Sequence, residues 1–86
     1  MNINELILNI EKKLKKEIPA EKIEIQDKTY LHKSHSSHTE GKHHIHLSIK
    51  CEELKKMSRI EYTKKIYKIL DFEMKNFIHS IVIKLL

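Results

Sequence analysis

The sequence predicts an α+β domain, a three-stranded mixed sheet with helices on one face, in the order αββααβ. Three observations carry this prediction. Two short stretches alternate apolar and polar residues, IEIQD at 23–27 and HIHLSI at 44–49, and a third, IHSIVIK at 78–84, is rich in β-branched residues. Long stretches near both ends repeat apolar residues at helical spacing. The chain holds one glycine and one proline, so tight turns are few and the elements are long.

Residues 2–17 read as the first helix. Asn2 or Asn4 can cap its start. Ile3, Ile7, Ile10 and Leu14, with Leu6 beside them, form its apolar stripe. Lys12, Lys13, Lys15 and Lys16 crowd its last turns, where cations favour the helix dipole. Pro19 ends it by pushing the preceding residue out of helical geometry. The strand at 23–27 follows, then a polar stretch from Thr29 to Gly41 without a period, which reads as a mobile loop. The second strand, with Ile45, Leu47 and Ile49 facing inward, pairs with the first as a long-looped hairpin. Residues 51–57 read as a short helix or turn. Ser58-Arg-Ile-Glu61 fits the capping box and opens a helix over 58–75. Its expected inward stripe is Ile60, Ile66, Tyr67, Leu70 and Met74. A crossover through that helix allows the third strand to pair in parallel with the second.

With 86 residues and 40% hydrophobic composition, the chain suits one domain, 1–86, with one modest core. Seventeen basic against twelve acidic residues leave a net charge of +5, which suits an acidic partner and also serves solubility alone. No aromatic-interleaved basic patch for stacking on single strands is visible. The single cysteine, Cys51, forbids an internal disulfide and fits a reducing compartment. The N-terminus lacks a signal-peptide layout, and no apolar run approaches the roughly 20 residues that span a bilayer. A cytoplasmic protein with no membrane association is expected.

The chemistry concentrates in histidine. Six of seven histidines lie between Tyr30 and His46, and the seventh, His79, opens the last strand. His32, His35 and His38 recur every three residues, and flexible histidine-rich tracts bind divalent metals. A dedicated zinc or nickel site, or a metal-buffering loop on an inert scaffold, is one reading, and a polar loop is another. The flanking elements are expected to carry this loop and bring one or two of its histidines near His79. His43, His44 and His46 are expected on the solvent face of the second strand. Cys51, beside Glu52 and Glu53, reads as structural, since neighbouring carboxylates dull a thiol. No catalytic constellation and no glycine-rich phosphate loop is present, so no enzyme activity is expected.

In order along the chain, these residues resemble the BolA family. Ile23-Glu-Ile-Gln-Asp27-Lys-Thr29-Tyr30-Leu-His32 is similar to the family's strand ending in Asp-x-Ser-x-x-His, with Thr29 in the serine place. His35 follows as in members with a histidine-rich loop. His44-Ile45-x-Leu47 resembles the second strand's His-Phe-x-Val, and Ser58-Arg59-Ile60 with Ile66-Tyr67 resembles the long helix. Ile78-His79-Ser80-Ile81 is similar to the C-terminal Ile-His-Ala-Leu. The chain departs from the family where Tyr62-Thr63-Lys64 stands for the helix's Arg-His-Arg, and Leu54-Lys55-Lys56 for Phe-x-Gly.

The resemblance implies a fold similar to the type II K-homology domain. It also implies a heterodimer with a monothiol glutaredoxin that shares a [2Fe–2S] cluster, in iron–sulfur trafficking or iron homeostasis. Alone, the chain would hold no cofactor and be a monomer or weak homodimer. The ligands implied are His79 and one of His35, His38 or His32. One cysteine cannot supply four thiolates, but two histidines can replace two cysteines on one iron. Neutral imidazole is the ligand form, so cluster transfer should weaken as pH falls toward the ordinary histidine value of about 6.5. The alternative is a DNA-binding transcriptional regulator, using the helix-turn-helix-like segment 52–70 with Arg59, Lys64, Lys65 and Lys68. K-homology domains clamp the nucleic-acid backbone with a GXXG loop, which this sequence lacks.

Overall fold

The computed structural model describes residues 1–29 and 42–86. The elements are α1 (Ile3–Glu17), β1 (Lys22–Asp27), β2 (His43–Lys50), α2 (Glu52–Lys55), α3 (Arg59–Ile69), α4 (Asp71–Asn76) and β3 (Ile78–Leu85). The sheet order is β1-β2-β3, with β1 antiparallel and β3 parallel to the central strand. Hairpin and crossover are as the sequence predicts. The expected helix over 58–75 is instead two helices, divided at Leu70, whose ψ of 22° leaves helical geometry.

Local chemistry sets the ends of these elements. Asn2 caps α1 by accepting the Glu5 N–H on Oδ1 at 2.9 Å. Ile18, extended ahead of Pro19, ends α1 and is itself buried. Ser58 and Glu61 form the full capping box of α3. The Glu61 N–H donates to Ser58 Oγ, and the Ser58 N–H donates to the Glu61 carboxylate, each at 3.1 Å.

The core joins Leu6, Ile10 and Leu14 of α1 to Ile45, Leu47 and Ile49 of β2, Ile78 and Ile81 of β3, and Leu54, Ile66 and Leu70. On α1 the inward row centres on Leu6 rather than Ile7, which is half-buried. The expected stripe of α3 needs a larger correction. Ile60 is 68% exposed and Tyr67 41%, while Tyr62 and Ile69 pack against the core. The reason is angular. At about 100° per residue, Ile60 and Tyr67 lie about 120° and 100° around the helix from Ile66, whereas Tyr62, Ile69 and Leu70 lie within about 60° of it.

Glu73 of α4 is a buried carboxylate that the sequence did not flag. Its side chain is 1% exposed, and Lys13 of α1 reaches it at 2.7 Å. A buried charge persists only when paired, and Lys13 supplies the pair across two elements that are 60 residues apart.

Candidate functional site

The end of the sheet where β1 finishes and β2 and β3 begin holds a connected polar network. Asp27, the last residue of β1, accepts both the backbone N–H and the hydroxyl of Thr29 on Oδ1. Thr29 is buried, and its Oγ1 accepts the backbone N–H of His44 at 3.2 Å, with His43 Nδ1 3.4 Å away. The Lys28 N–H donates to the His44 carbonyl at 2.7 Å. One short side chain therefore ties the end of β1 to the start of β2, on either side of residues 30–41.

The start of β3 carries a bulge. His43 pairs with Ile78, but His44 pairs with Ser80, so His79 is an extra residue with no partner in the ladder. The sequence requires this. Ile78 and Ile81 are both buried, and three-residue spacing puts two side chains on one face of a strand only if a residue is added between them. The added residue is His79, which is exposed at the end of the sheet. Bulges re-aim a side chain in this way.

His44 corrects the expectation of a solvent-facing histidine. It is 6% exposed, its Nδ1 is hydrogen-bonded to Ser80 Oγ at 2.7 Å, and its ring lies 4.8 Å from that of His79, tilted by 55°. Strand alternation does put His44 on the face opposite Ile45, but the bulge brings Ser80 and His79 over it. His43 and His46 are half-buried. The site thus has an exposed imidazole on a rigid strand, backed by a buried imidazole whose ring is held by a serine hydroxyl. Periodicity cannot reveal the role of His44, since the same alternation describes a solvated histidine. The signal was the Ile-x-x-Ile spacing of Ile78 and Ile81.

His32, His35 and His38 lie outside the described residues, so whether any of them reaches His79 stays an expectation. Among the described residues no three His, Cys, Asp or Glu side chains are grouped to hold a metal ion. Cys51, at the end of β2, is a free thiol only 1% exposed. One cysteine cannot hold a [2Fe–2S] cluster by this chain's own thiolates.

The basic residues of the alternative reading do not form one stripe. Lys64 and Lys68 are exposed and Lys65 is half-buried, all within about 100° of arc on α3. Arg59, also exposed, lies about 180° around the helix from Lys68. The segment ahead of α3 is a single four-residue turn of helix, Glu52–Lys55.

No helix among the described residues is long and apolar enough to cross a membrane. No curated protein matches the sequence. Among solved structures, BolA1 from Arabidopsis thaliana superposes with a TM-score of 0.75 at 22% identity, over 91% of this chain and 86% of that one. The solution structure of BolA1 from Mus musculus gives 0.75 at 16% identity, over 92% and 62%. Those two likenesses show the fold. The BolA domain of SufE1 from Arabidopsis thaliana matches with a TM-score of 0.71 at 30% identity, over 91% and 88%. The family model for BolA-like protein matches residues 14–86, the span that includes the Asp27–Thr29 turn, the bulge and His79, and the chain belongs to the BolA-like family.

Proposed function

We propose that this protein is an adaptor that pairs with a monothiol glutaredoxin and co-ligates a [2Fe–2S] cluster, in iron–sulfur trafficking or iron homeostasis. The observation that supports the reading best is the bulge that presents His79. An exposed imidazole fixed on a strand is reachable by a partner, whereas the one thiol of the chain is buried. In the complex the cluster is cargo shared between two proteins, with thiolates from the glutaredoxin side. On this side, His79 is the fixed ligand and His35, His38 or His32 is the movable one. His44 orients His79 from behind, and the Thr29 hydroxyl anchors the root of the histidine-rich segment.

Complex formation can be measured directly. Mixed anaerobically with cluster-loaded monothiol glutaredoxin, the chain is expected to co-elute with it as a heterodimer in size-exclusion chromatography. Separate elution of the two proteins at tens of micromolar would remove the reading.

A further inference from the structure

A second polar site lies in a cleft of about 550 Å³ lined by Lys13, Lys16 and Glu17 of α1 and by Lys65, Lys68 and Ile69 of α3. We infer that this cleft binds a small polyphosphate anion, with Lys16, Lys65 and Lys68 as its ligands. The first support is charge. Lys13 is committed to buried Glu73 at 2.7 Å, so that pair cancels. Five other lysines take carboxylate partners, Lys15 with Glu11, Lys22 with Glu24, Lys50 with Glu21, Lys55 with Glu52 and Lys75 with Asp71, while exposed Lys12, Lys56, Lys64 and Lys84 take none among the described residues. None of these pairs involves Lys16, Lys65 or Lys68. With Glu17 in the same lining, the three lysines leave a net positive charge in one concavity.

The second support is geometry. Lys16 projects from one wall, and Lys65 and Lys68, one turn apart, from the other. The two walls are helices packed on a common core, so the lysines are positioned by rigid elements rather than by a loop. A multivalent anion can be attracted by more than one of these ammonium groups at once. Ammonium groups bind phosphate as point charges and need no fork geometry, which suits a cleft furnished only with lysine. The volume falls in the range of small-molecule sites, on the order of 300–1,000 Å³, and the lining has no aromatic side chain on which bases would stack. The observations therefore favour a compact polyphosphate over a nucleic-acid strand.

The test is a two-dimensional NMR titration of the full chain with inorganic triphosphate at low ionic strength. It is repeated for Lys16→Gln/Lys68→Gln and for Lys56→Gln/Lys84→Gln, which removes the same charge outside the cleft. Saturable amide shifts confined to residues 13–17 and 65–69 are expected. The cleft variant should lose about 10-fold in affinity, the loss of one or two charge-assisted contacts, and the control variant less than about 3-fold. Non-saturating shifts, equal losses in both variants, or shifts mapping elsewhere would overturn the inference. So would tight binding of a twelve-nucleotide single strand without binding of triphosphate. Folding of each variant is checked by its unperturbed spectrum away from the substitutions.

Discussion

Thr29 shows how much one hydroxyl can organise. It donates to Asp27, accepts from the His44 N–H and is buried. Thr29→Val keeps the shape and removes the hydroxyl, taking away the acceptor of the His44 N–H and one of the two donors to Asp27 Oδ1. That substitution should cost about 1–3 kcal/mol in urea unfolding, and Thr29→Ser should stay close to wild type. A second residue-scale consequence concerns Glu61. The Ser58 backbone N–H, and then its hydroxyl, hold the Glu61 carboxyl below its ordinary value of 4.5. A depressed carboxyl stabilises the fold above the unfolded value and loses that contribution as pH falls through the folded one. Wild type should therefore lose stability relative to Glu61→Gln as pH drops below about 4.5, with the difference constant at neutral pH. Thermal unfolding across pH 3–7 for the two proteins checks this, and parallel curves would exclude it.

At the scale of elements, the bulge in β3 separates two effects that substitution alone would confuse. His79 is exposed, so His79→Ala should leave stability within about 0.5 kcal/mol. Deleting His79 instead removes the extra residue and brings Ile78 and Ile81 to two-residue spacing, so unbroken alternation keeps both in the core. The deletion should therefore stay within about 1 kcal/mol of His79→Ala, as read by chemical denaturation. A deletion that costs as much as losing a buried isoleucine, roughly 2–4 kcal/mol, would mean that His79 is not the residue the bulge adds. The elements were legible to different degrees. Asn2, Ser58 with Glu61, and Pro19 announce helix ends through backbone chemistry that acts over three or four residues. Such signals survive in any tertiary context. The inward face of α3 was not legible, because Ile60 and Tyr67 are apolar yet lie on the wrong arc, and apolar identity alone does not fix the rotation of a helix. The break at Leu70 has no glycine or proline to mark it. The pairing of Glu73 with Lys13 joins residues 60 apart and no local pattern contains it.

For the whole molecule, strand order and direction followed from the sequence because a hairpin and a right-handed crossover leave few alternatives. The site was half legible. His79 was singled out by the resemblance of Ile78-His79-Ser80-Ile81 to a family motif, but the tilt of its ring against His44, and the hydrogen bond of His44 to Ser80, arise only when β2 and β3 are brought side by side. The fold thus places an exposed imidazole at one end of the sheet and a lysine-lined cleft between α1 and α3. Because His79→Ala should spare the fold, it isolates the contribution of the imidazole to partner chemistry. The most direct measurement is an anaerobic titration of the chain into cluster-loaded monothiol glutaredoxin, followed by visible circular dichroism, for wild type and His79→Ala. The expected result is a cluster spectrum that changes up to one equivalent with wild type and does not change with the variant. An unaltered spectrum with wild type, or the same change with both proteins, would contradict a ligand role for His79.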